Sequence, residues 1–331
     1  MNCCKAADTT QGRCYSTRIT PRFKHIAQTN GVFYYTQYLQ KQYIVYSARI
    51  LDEVVEMTVY SCGRYTRFAV WLFSHASLFD CTTKSFPYDV LVSARWNPCP
   101  CTKKFRGVTI FVNGEDTKPS FPNERTIGVG VAGIEVRKDV SFAYGAFEYI
   151  LRDLHTTRNL HPKIWGVAYI ASNCASFKHN IAIRLSKYVD VYAFGKCVPP
   201  NAIRMPRLTG DWDNTYKIYK DFAFVLAADH GYTKGYVTEK LFLAAASQAI
   251  PIYHGDVNTA QFYLNKERVL WWGKNTPLTV RSLLSNKTAY AEMRKLEVFN
   301  TDNFKKARNY IKQAVRRQVR CQRPGRASGR C

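Results

Sequence analysis

The sequence predicts an α/β fold made of two successive Rossmann-like domains that face each other across a cleft. Short, continuously apolar runs recur along the chain, and in the second half helical segments alternate with them. A polar stretch around Pro162 divides the pattern into two sets. Continuous apolar strands suit a parallel sheet covered on both faces, and β-α-β units need parallel strands with right-handed crossovers.

The first domain is expected to span residues 1–158. Its opening segment, residues 1–60, is basic and rich in tyrosine, and its pattern assigns neither helix nor strand. Beyond it, four apolar runs predict strands, and a helix is expected just before the boundary. The predicted strands are 68–73, 88–94, 108–113 and 126–131, and the predicted helix is 146–155.

The second domain is expected to span residues 159–302, followed by a basic tail at 303–331. Two β-α-β units fill the second domain. The predicted strands are 164–171, 190–194, 222–228 and 250–253, and the predicted helices are 178–188 and 238–249. The tail carries ten Lys and Arg residues and no Asp or Glu. We expect it to begin as a helix and to end in a disordered segment.

The charge of the chain restricts its class. The 48 Lys and Arg residues against 24 Asp and Glu give a net charge of +24, which indicates nucleic acid, an anionic membrane surface or a phosphate-bearing substrate. A hydrophobic fraction of 46% excludes a disordered chain. The longest apolar run, 68–79, is too short to span a bilayer, and the first residues lack a signal-peptide core. The sequence as given is therefore expected to be soluble, without an export signal.

Eleven cysteines leave the redox compartment open, because the number is odd and zinc-site spacing is absent. If the compartment is oxidising, the pairs Cys3/Cys4, Cys99/Cys101 and Cys321/Cys331 are candidate bridges.

The segment 222–255 carries the most informative chemistry. Its loop leaves the carboxyl end of a strand and enters a helix, which is the edge where α/β sheets bind ligands. Lys240 lies in the first helical turn, where a cation is unfavourable unless an anion binds there. Glu239 could bind sugar hydroxyls, and Tyr236 a phosphate or a ring. The alternative interpretation is ordinary capping by Thr238 with a solvated Lys240.

Several motifs resemble the α-1,3-fucosyltransferases, glycosyltransferase family 10. The specific element is 235–240 (GYVTEK) with the strand 249–255 (AIPIYHG) downstream. The runs 167–174 (VAYIASNC) and 187–197 (KYVDVYAFGKC) are similar to the family's preceding strands. In the first half, 111–116 (FVNGED) is similar to the family's glycine–glutamate element.

The resemblance implies a GT-B arrangement and transfer of L-fucose from GDP-fucose, with inversion, to a glycan hydroxyl such as O3 of N-acetylglucosamine. The acceptor would be a glycan or glycoprotein, and neither a metal nor another cofactor would be essential. The implied general base is Glu115, with Asp116 as its rival. Lys240 is the implied phosphate ligand, and Tyr236 and Glu239 are implied donor-binding residues.

Two departures from the family pattern qualify this expectation. The family's F-E-N triplet is replaced by Ala228-Asp229-His230, which keeps a carboxylate for donor binding but replaces the amide. The family's diphosphate-binding arginine is missing, and Lys178 is the first substitute, ahead of His179. Lysine keeps the charge but loses the bidentate fork.

Three alternatives stay open at this point. The departures allow another GDP-sugar as donor, or a non-catalytic relative. A nucleic-acid-binding protein is less favoured, because aromatic and basic residues are not interleaved and no binding module is visible. We therefore expect no specific nucleic acid partner, whereas the basic tail allows peripheral membrane contact. The resemblance implies the Golgi for a eukaryotic member and the cytoplasm for a bacterial or viral one.

Overall fold

A computed structural model describes residues 58–146 with short gaps, 162–206 apart from residue 175, and 215–321. It also describes two short paired strands, β1 (Gln37–Leu39) and β2 (Gln42–Ile44). Most of the predicted helix 146–155, the predicted boundary at 158–159 and the candidate pair Cys3/Cys4 lie outside these residues.

The first half contains a five-stranded parallel sheet in the order β4-β3-β5-β6-β7. Its strands are β3 (Val59–Ser61), β4 (Ser77–Leu78), β5 (Val90–Ala94), β6 (Val108–Asn113) and β7 (Thr126–Gly130). The strands β5 and β6 are buried throughout, as the continuous apolar runs predict. An antiparallel pair, β8 (Glu135–Arg137) and β9 (Val140–Ser141), follows.

The predicted strand 68–73 is wrong, since these residues belong to helix α1 (Thr66–Phe73). Phe68, Ala69, Leu72 and Phe73 are all buried, which is the spacing of one helical face. A short apolar run is compatible with a buried strand or a buried helix, so periodicity alone could not decide here.

The second half contains a six-stranded parallel sheet in the order β12-β11-β10-β13-β14-β15. Its strands are β10 (Ile164–Ala171), β11 (Val191–Gly195), β12 (Ile203–Arg204), β13 (Phe222–Ala228), β14 (Ile250–His254) and β15 (Leu270–Trp271). The strand order reverses between β10 and β13, so the carboxyl ends of these two strands form a switch point. The predicted α/β fold with parallel sheets is confirmed.

Seven further helices accompany the sheets in the described part of the chain. They are α2 (Ser176–Ser186), α3 (Thr215–Tyr219), α4 (Glu239–Ala246), α5 (Val257–Tyr263), α6 (Thr276–Ser285), α7 (Lys287–Lys295) and α8 (Thr301–Cys321). None of the described helices is both long and apolar enough to cross a membrane.

The basic tail is more deeply integrated into the fold than the sequence indicated. Helix α8 buries one apolar face in the main core and contacts α1, α5, β6 and β8. The buried residues are Phe304, Ala307, Ile311, Val315 and Val319. Their spacing of three or four places leaves Lys305, Lys306, Arg317 and Arg320 exposed on the outer side of the helix, whereas Arg308 contacts α1.

Two disulfides join loops that follow neighbouring parallel strands. Cys62 and Cys99 are bonded after β3 and β5, and Cys174 and Cys197 after β10 and β11. The candidate pair Cys99/Cys101 is therefore wrong, because the sheet brings Cys62 next to Cys99 from 37 residues away. Cys321 is also disulfide-bonded, and its candidate partner Cys331 lies outside the described residues.

Candidate functional site

A cavity of about 280 Å³ opens at the switch point of the six-stranded sheet. The ends of β10 and β13, the loop before α2, and the start of α4 form its walls. Its polar lining residues are Tyr169, Ser172, Asn173, Lys178, Thr215, Tyr219, His230, Glu239 and Lys240. Of the six site residues predicted from the sequence, the structure thus brings Lys178, Glu239 and Lys240 onto the cavity wall.

The start of α4 is held by a buried carboxylate. Asp229 is 1% exposed and accepts hydrogen bonds from the Thr238 N–H, the Thr238 hydroxyl and the Tyr253 hydroxyl. Burial raises the pKa of Asp229 even though these donors and Lys240 favour its charged form. Asp229, which we predicted to bind the donor, thus lies beneath the loop and holds it in place.

Thr238 caps α4, and its side-chain oxygen accepts from the Lys240 N–H at 3.5 Å. The capping interpretation is therefore correct for Thr238. Lys240, in contrast, faces the cavity, and its ammonium donates to Glu239 Oε1 at 2.8 Å. Burial opposes ionisation of both side chains, but their pairing holds the pKa of Glu239 below its usual value and that of Lys240 above.

Lys178 brings a second ammonium to the cavity from the first turn of α2. It is 6% exposed and forms no ion pair within the part of the chain that the structure describes. Burial, together with the nearby charge of Lys240, lowers the pKa of Lys178 to about 8. Among the lining residues, two lysines face one glutamate, while the buried Asp229 behind the wall favours the charged form of both lysines. His179, the second substitute for the missing arginine, is not among the lining residues.

Two aromatic side chains, His230 and Tyr236, lie at or behind the cavity wall. The ring of His230 lies on the cavity wall and stacks against Tyr236, with centroids 6.4 Å apart. Burial lowers the pKa of His230, and Lys178 and Lys240 act in the same direction. Tyr236 is 5% exposed and lies beside His230, so it supports the wall without lining it.

The loop after β6 brings two carboxylates from the first half towards this wall. The Oδ2 atom of Asp116 lies 3.5 Å from the position that a Cβ atom on Gly231 would occupy. Burial is the main cause that lowers the pKa of His230, and the charge of Asp116 partly opposes it. Burial is likewise the main cause that raises the pKa of Tyr236, and the charge of Glu115 adds to it. Asp116 therefore lies next to the loop between β13 and α4, Glu115 is close enough to influence Tyr236, and neither residue lines the cavity itself.

Asn113 holds the backbone of the loop that carries these carboxylates. It is fully buried, and its Oδ1 atom accepts from the Glu115 N–H at 3.2 Å. Its Nδ2 atom donates to the carbonyl oxygens of Thr117 and Val131 at 2.9 and 3.3 Å. Asp116 Oδ1 is buried and has no hydrogen-bond donor within the described residues, which leaves it available to a ligand hydroxyl.

Sequence reasoning missed two phenols in the cavity wall. Tyr169 is 2% exposed, and its hydroxyl has no partner among the residues that the structure places. Burial raises the pKa of Tyr169, and that of Tyr219, to about 12, so both phenols are neutral donors. A tyrosine near the carboxyl end of the otherwise apolar strand 164–171 was the signal that could have revealed Tyr169.

A glycine of the first half contacts the start of α4. The Gly145 N–H donates to the Val237 carbonyl oxygen at 2.7 Å, and a Cβ atom on Gly145 would lie 2.2 Å from the Thr238 carbonyl oxygen. The chain can approach α4 this closely only because residue 145 has no side chain.

Two parallel sheets, with a cationic cavity at the switch point of the second, define the GT-B class of glycosyltransferase fold. Solved structures share it. A crystal structure of an α1,3-fucosyltransferase matches with a TM-score of 0.54 at 15% identity, over 82% of this chain and 93% of that one. A structure of α1,3-fucosyltransferase with GDP-fucose matches with a TM-score of 0.51 at 14% identity, over 81% and 94%.

Residues 160–267 match the family model described as glycosyltransferase family 10 (fucosyltransferase), C-terminal domain. This part of the chain is thus similar to the donor-side domain of the family 10 fucosyltransferases, in agreement with the resemblance drawn from the motifs. The α-(1,4)-fucosyltransferase of Arabidopsis thaliana is 27% identical over 149 residues, or 38% of this chain and 37% of that protein. The GDP-fucose protein O-fucosyltransferase 3 of Canis lupus familiaris is 26% identical over 136 residues, or 39% and 27%. The matches thus span less than two fifths of these relatives.

Proposed function

We propose that the protein transfers L-fucose from GDP-fucose to a hydroxyl group of a glycan acceptor, with inversion at the anomeric carbon. The observation that carries the proposal is the convergence of Lys178 and Lys240 on one cavity at the switch point. Both ammonium groups come from first turns of helices, where the backbone also favours anions. A nucleoside diphosphate supplies negative charge for both ammonium groups.

Charge stabilisation at the leaving group follows from the two lysines. As the sugar–phosphate bond breaks, the diphosphate gains negative charge, and cations held in place stabilise that charge in the transition state. Glu239 pairs with Lys240 in the free protein, and on donor binding its carboxylate can turn to hydroxyl groups of the sugar. Because the lysines supply the positive charge, we propose that the reaction needs neither a metal nor another cofactor.

Proton transfer from the acceptor falls to Glu115 in this proposal. The acceptor oxygen bonds to the anomeric carbon, the bond from that carbon to the phosphate oxygen breaks, and the hydroxyl proton passes to the carboxylate. Glu115 is suited to this role because Asn113 fixes its backbone and its charge acts on Tyr236, beside the donor cavity. Asp116, whose Oδ1 atom has no donor among the described residues, can accept a hydrogen bond from a sugar hydroxyl.

The similarity of residues 160–267 to the family 10 fucosyltransferases supports O3 of N-acetylglucosamine, on a glycan or glycoprotein, as the acceptor position to test first. The two disulfides fit an oxidising compartment, and we therefore propose protein glycosylation in the Golgi lumen as the setting. Because Lys178 takes the place of the family's diphosphate-binding arginine, another GDP-sugar remains an alternative donor. GDP-mannose is therefore tested beside GDP-fucose.

The experiment measures GDP release from GDP-fucose and GDP-mannose with an N-acetylglucosamine-containing acceptor, with and without EDTA. We expect release from GDP-fucose in both conditions and a loss of about 100-fold or more in the variant Glu115→Gln. Glu124→Gln, which changes an exposed glutamate in the same half, is the matched control. Release with neither donor above the level of Glu115→Gln would refute the enzyme proposal. If GDP stabilises Lys240→Ala as much as the unaltered protein in thermal unfolding, the phosphate assignment is wrong.

A further inference from the structure

A second cavity, of about 540 Å³, lies between the outer face of α5 and the segment that leads into α8. We propose that this cavity binds a neutral saccharide, as a site separate from the donor cavity. Amide side chains dominate its wall, and an aromatic ring stands among them. The residues that carry the argument are Asn258, Gln261, Asn265, Phe299, Asn300 and Asn303.

Three of the asparagines are each fixed by one half of the amide. Asn265 Oδ1 accepts from the Glu267 N–H at 3.0 Å, and Asn300 Oδ1 accepts from the Asn303 N–H at 3.3 Å. Asn303 Nδ2 donates to the Phe262 carbonyl oxygen at 2.8 Å. Within the described residues the other half of each amide has no hydrogen-bond partner, which leaves two NH2 groups, each with two N–H donors, and one carbonyl acceptor. Sugar hydroxyls both donate and accept, so they match such a mixed set.

Asn258 and Gln261 extend this set along α5. Both side chains are exposed, and neither forms a hydrogen bond within the described part of the chain. They lie three residues apart, which places them on the same face of the helix. Two further amides, each with donors and an acceptor, are therefore available at the rim of the cavity.

The backbone beneath the amides is held together by paired segments. The Asn265 N–H donates to the Val298 carbonyl oxygen, and the Asn300 N–H to that of Tyr263, both at 2.9 Å. Phe299 is partly buried between these bonds and contacts Phe304 with ring centroids 6.2 Å apart. A ring fixed in this way offers an apolar surface to the C–H face of a sugar, and fixed groups lower the entropic cost of binding.

Charge distinguishes this cavity from the rest of the chain. On a protein with a net charge of +24, the charged lining residues within the described part of the chain are Lys266 and Glu297, which are of opposite sign. A phosphorylated or sulfated ligand would find little attraction here, whereas two lysines line the donor cavity. The ligand class that fits is neutral and rich in hydroxyls.

The cavity is connected to the donor loop through Asp256. Asp256 caps α5 by accepting from the Thr259 N–H, and its second oxygen accepts from the Gly235 N–H at 2.7 Å. Helix α5 (seven residues) therefore contacts the donor loop at its start and lines the second cavity along its outer face. A saccharide held here is positioned as a remote part of an acceptor chain or as a second glycan.

Saturation-transfer NMR and calorimetric titration of the full chain with N-acetyllactosamine and chitotriose test the proposal. We expect binding that GDP does not compete with and that Lys240→Ala does not weaken. The double variant Asn258→Ala/Gln261→Ala should bind about 10-fold more weakly, because it loses two hydrogen bonds. The matched control is Asn309→Ala/Gln313→Ala, which removes an exposed asparagine and glutamine from α8 at a similar spacing.

Four results would overturn the proposal. The first is that neither oligosaccharide binds at about 10 mM or below, which is on the order of weak lectin affinity. The second is equal binding by the two double variants, and the third is competition by GDP. The fourth is a preference for an extended peptide over the oligosaccharides. Because the readout is binding without a donor, a protein that fails to release GDP in the transfer assay could still satisfy this test. Failure here would likewise leave the donor-site proposal standing.

Discussion

Lys178 shows how far the surroundings of a side chain decide its chemistry. An exposed lysine is charged throughout the physiological range, whereas burial and the charge of Lys240 bring the pKa of Lys178 to about 8. A bound diphosphate would reverse both influences by replacing lost solvation with opposite charge. The free cavity is therefore a state in which this lysine is ready to gain a proton on binding.

The pH dependence of GDP binding follows with a definite sign. An anion raises the pKa of Lys178 in the complex, so GDP affinity should be constant below pH 8 and fall as the pH rises above it. The decrease approaches about 10-fold per pH unit. Calorimetric titration between pH 7 and 9 measures it, with proton uptake seen by comparing two buffers. Lys178→Arg stays charged and should show no such decrease. An equal decrease in this variant would assign the dependence to another group.

Individual side chains of the donor loop illustrate what a sequence can and cannot reveal. The motif predicted that Glu239 and Lys240 face a ligand, because charge at a helix N-terminus has a physical meaning that depends only on position. It could not show that Asp229 points inward, since that depends on Tyr253, 24 residues away. That the Tyr169 hydroxyl has no partner among the residues the structure places was equally hidden, because strand position alone does not reveal the partners of a side chain.

The loop–helix element from Asp229 to α4 depends on one hydroxyl. The Thr238 side chain both caps α4 and donates to Asp229, so Thr238→Val removes a cap and leaves the buried carboxylate with fewer donors. We expect a loss of about 1–3 kcal/mol in the free energy of unfolding, together with weaker GDP binding. Urea denaturation and titration with GDP measure the two effects.

Matched variants separate this effect from the general cost of replacing threonine. Thr238→Ser keeps the hydroxyl and should retain most of the stability and the affinity. Thr279→Val, at an exposed position in α6, should change neither by much. If Thr238→Ser loses as much as Thr238→Val, the hydroxyl does not account for the effect.

Among the secondary-structure elements, the fully apolar strands were the most predictable. The strands β6, β10 and β13 have the same bounds in the structure as in the sequence prediction. Turn residues or charges border these runs on both sides, and their length fits a strand buried on both faces. Helix α1 was missed because its apolar run is equally short and its tertiary surroundings decide its conformation.

Helix α8 contributes to the stability of the whole molecule. Its apolar face packs in the same core as α1 of the first half and α5 of the second. Ile311→Ala should therefore lower the free energy of unfolding by about 2–4 kcal/mol, within a single cooperative transition. Lys306→Ala, on the exposed side, should change it by less than about 0.5 kcal/mol. Thermal and urea unfolding measure both. Stability equal to that of Lys306→Ala would show that the helix is not part of the core.

The net charge of +24 predicts an anionic partner, but it does not predict that the basic tail packs against the core. The composition of the tail, with ten basic residues, indicates a surface segment. The spacing of its five apolar residues indicates instead a helix with one packed face. Both interpretations are correct for different faces of α8. The two-domain boundary, the disordered end of the tail and any membrane contact through the basic residues stay predictions, since composition alone supports them.

Gly145 has a consequence for how substitutions are tolerated. It contributes no atom to the cavity wall, yet any side chain there would collide with the backbone that begins α4. The first half of the chain would then be pushed away from the helix whose first turn carries Glu239 and Lys240. Distance from the ligand is therefore a poor guide to the cost of a substitution in this protein, and the smallest residue type occupies one of its least replaceable positions.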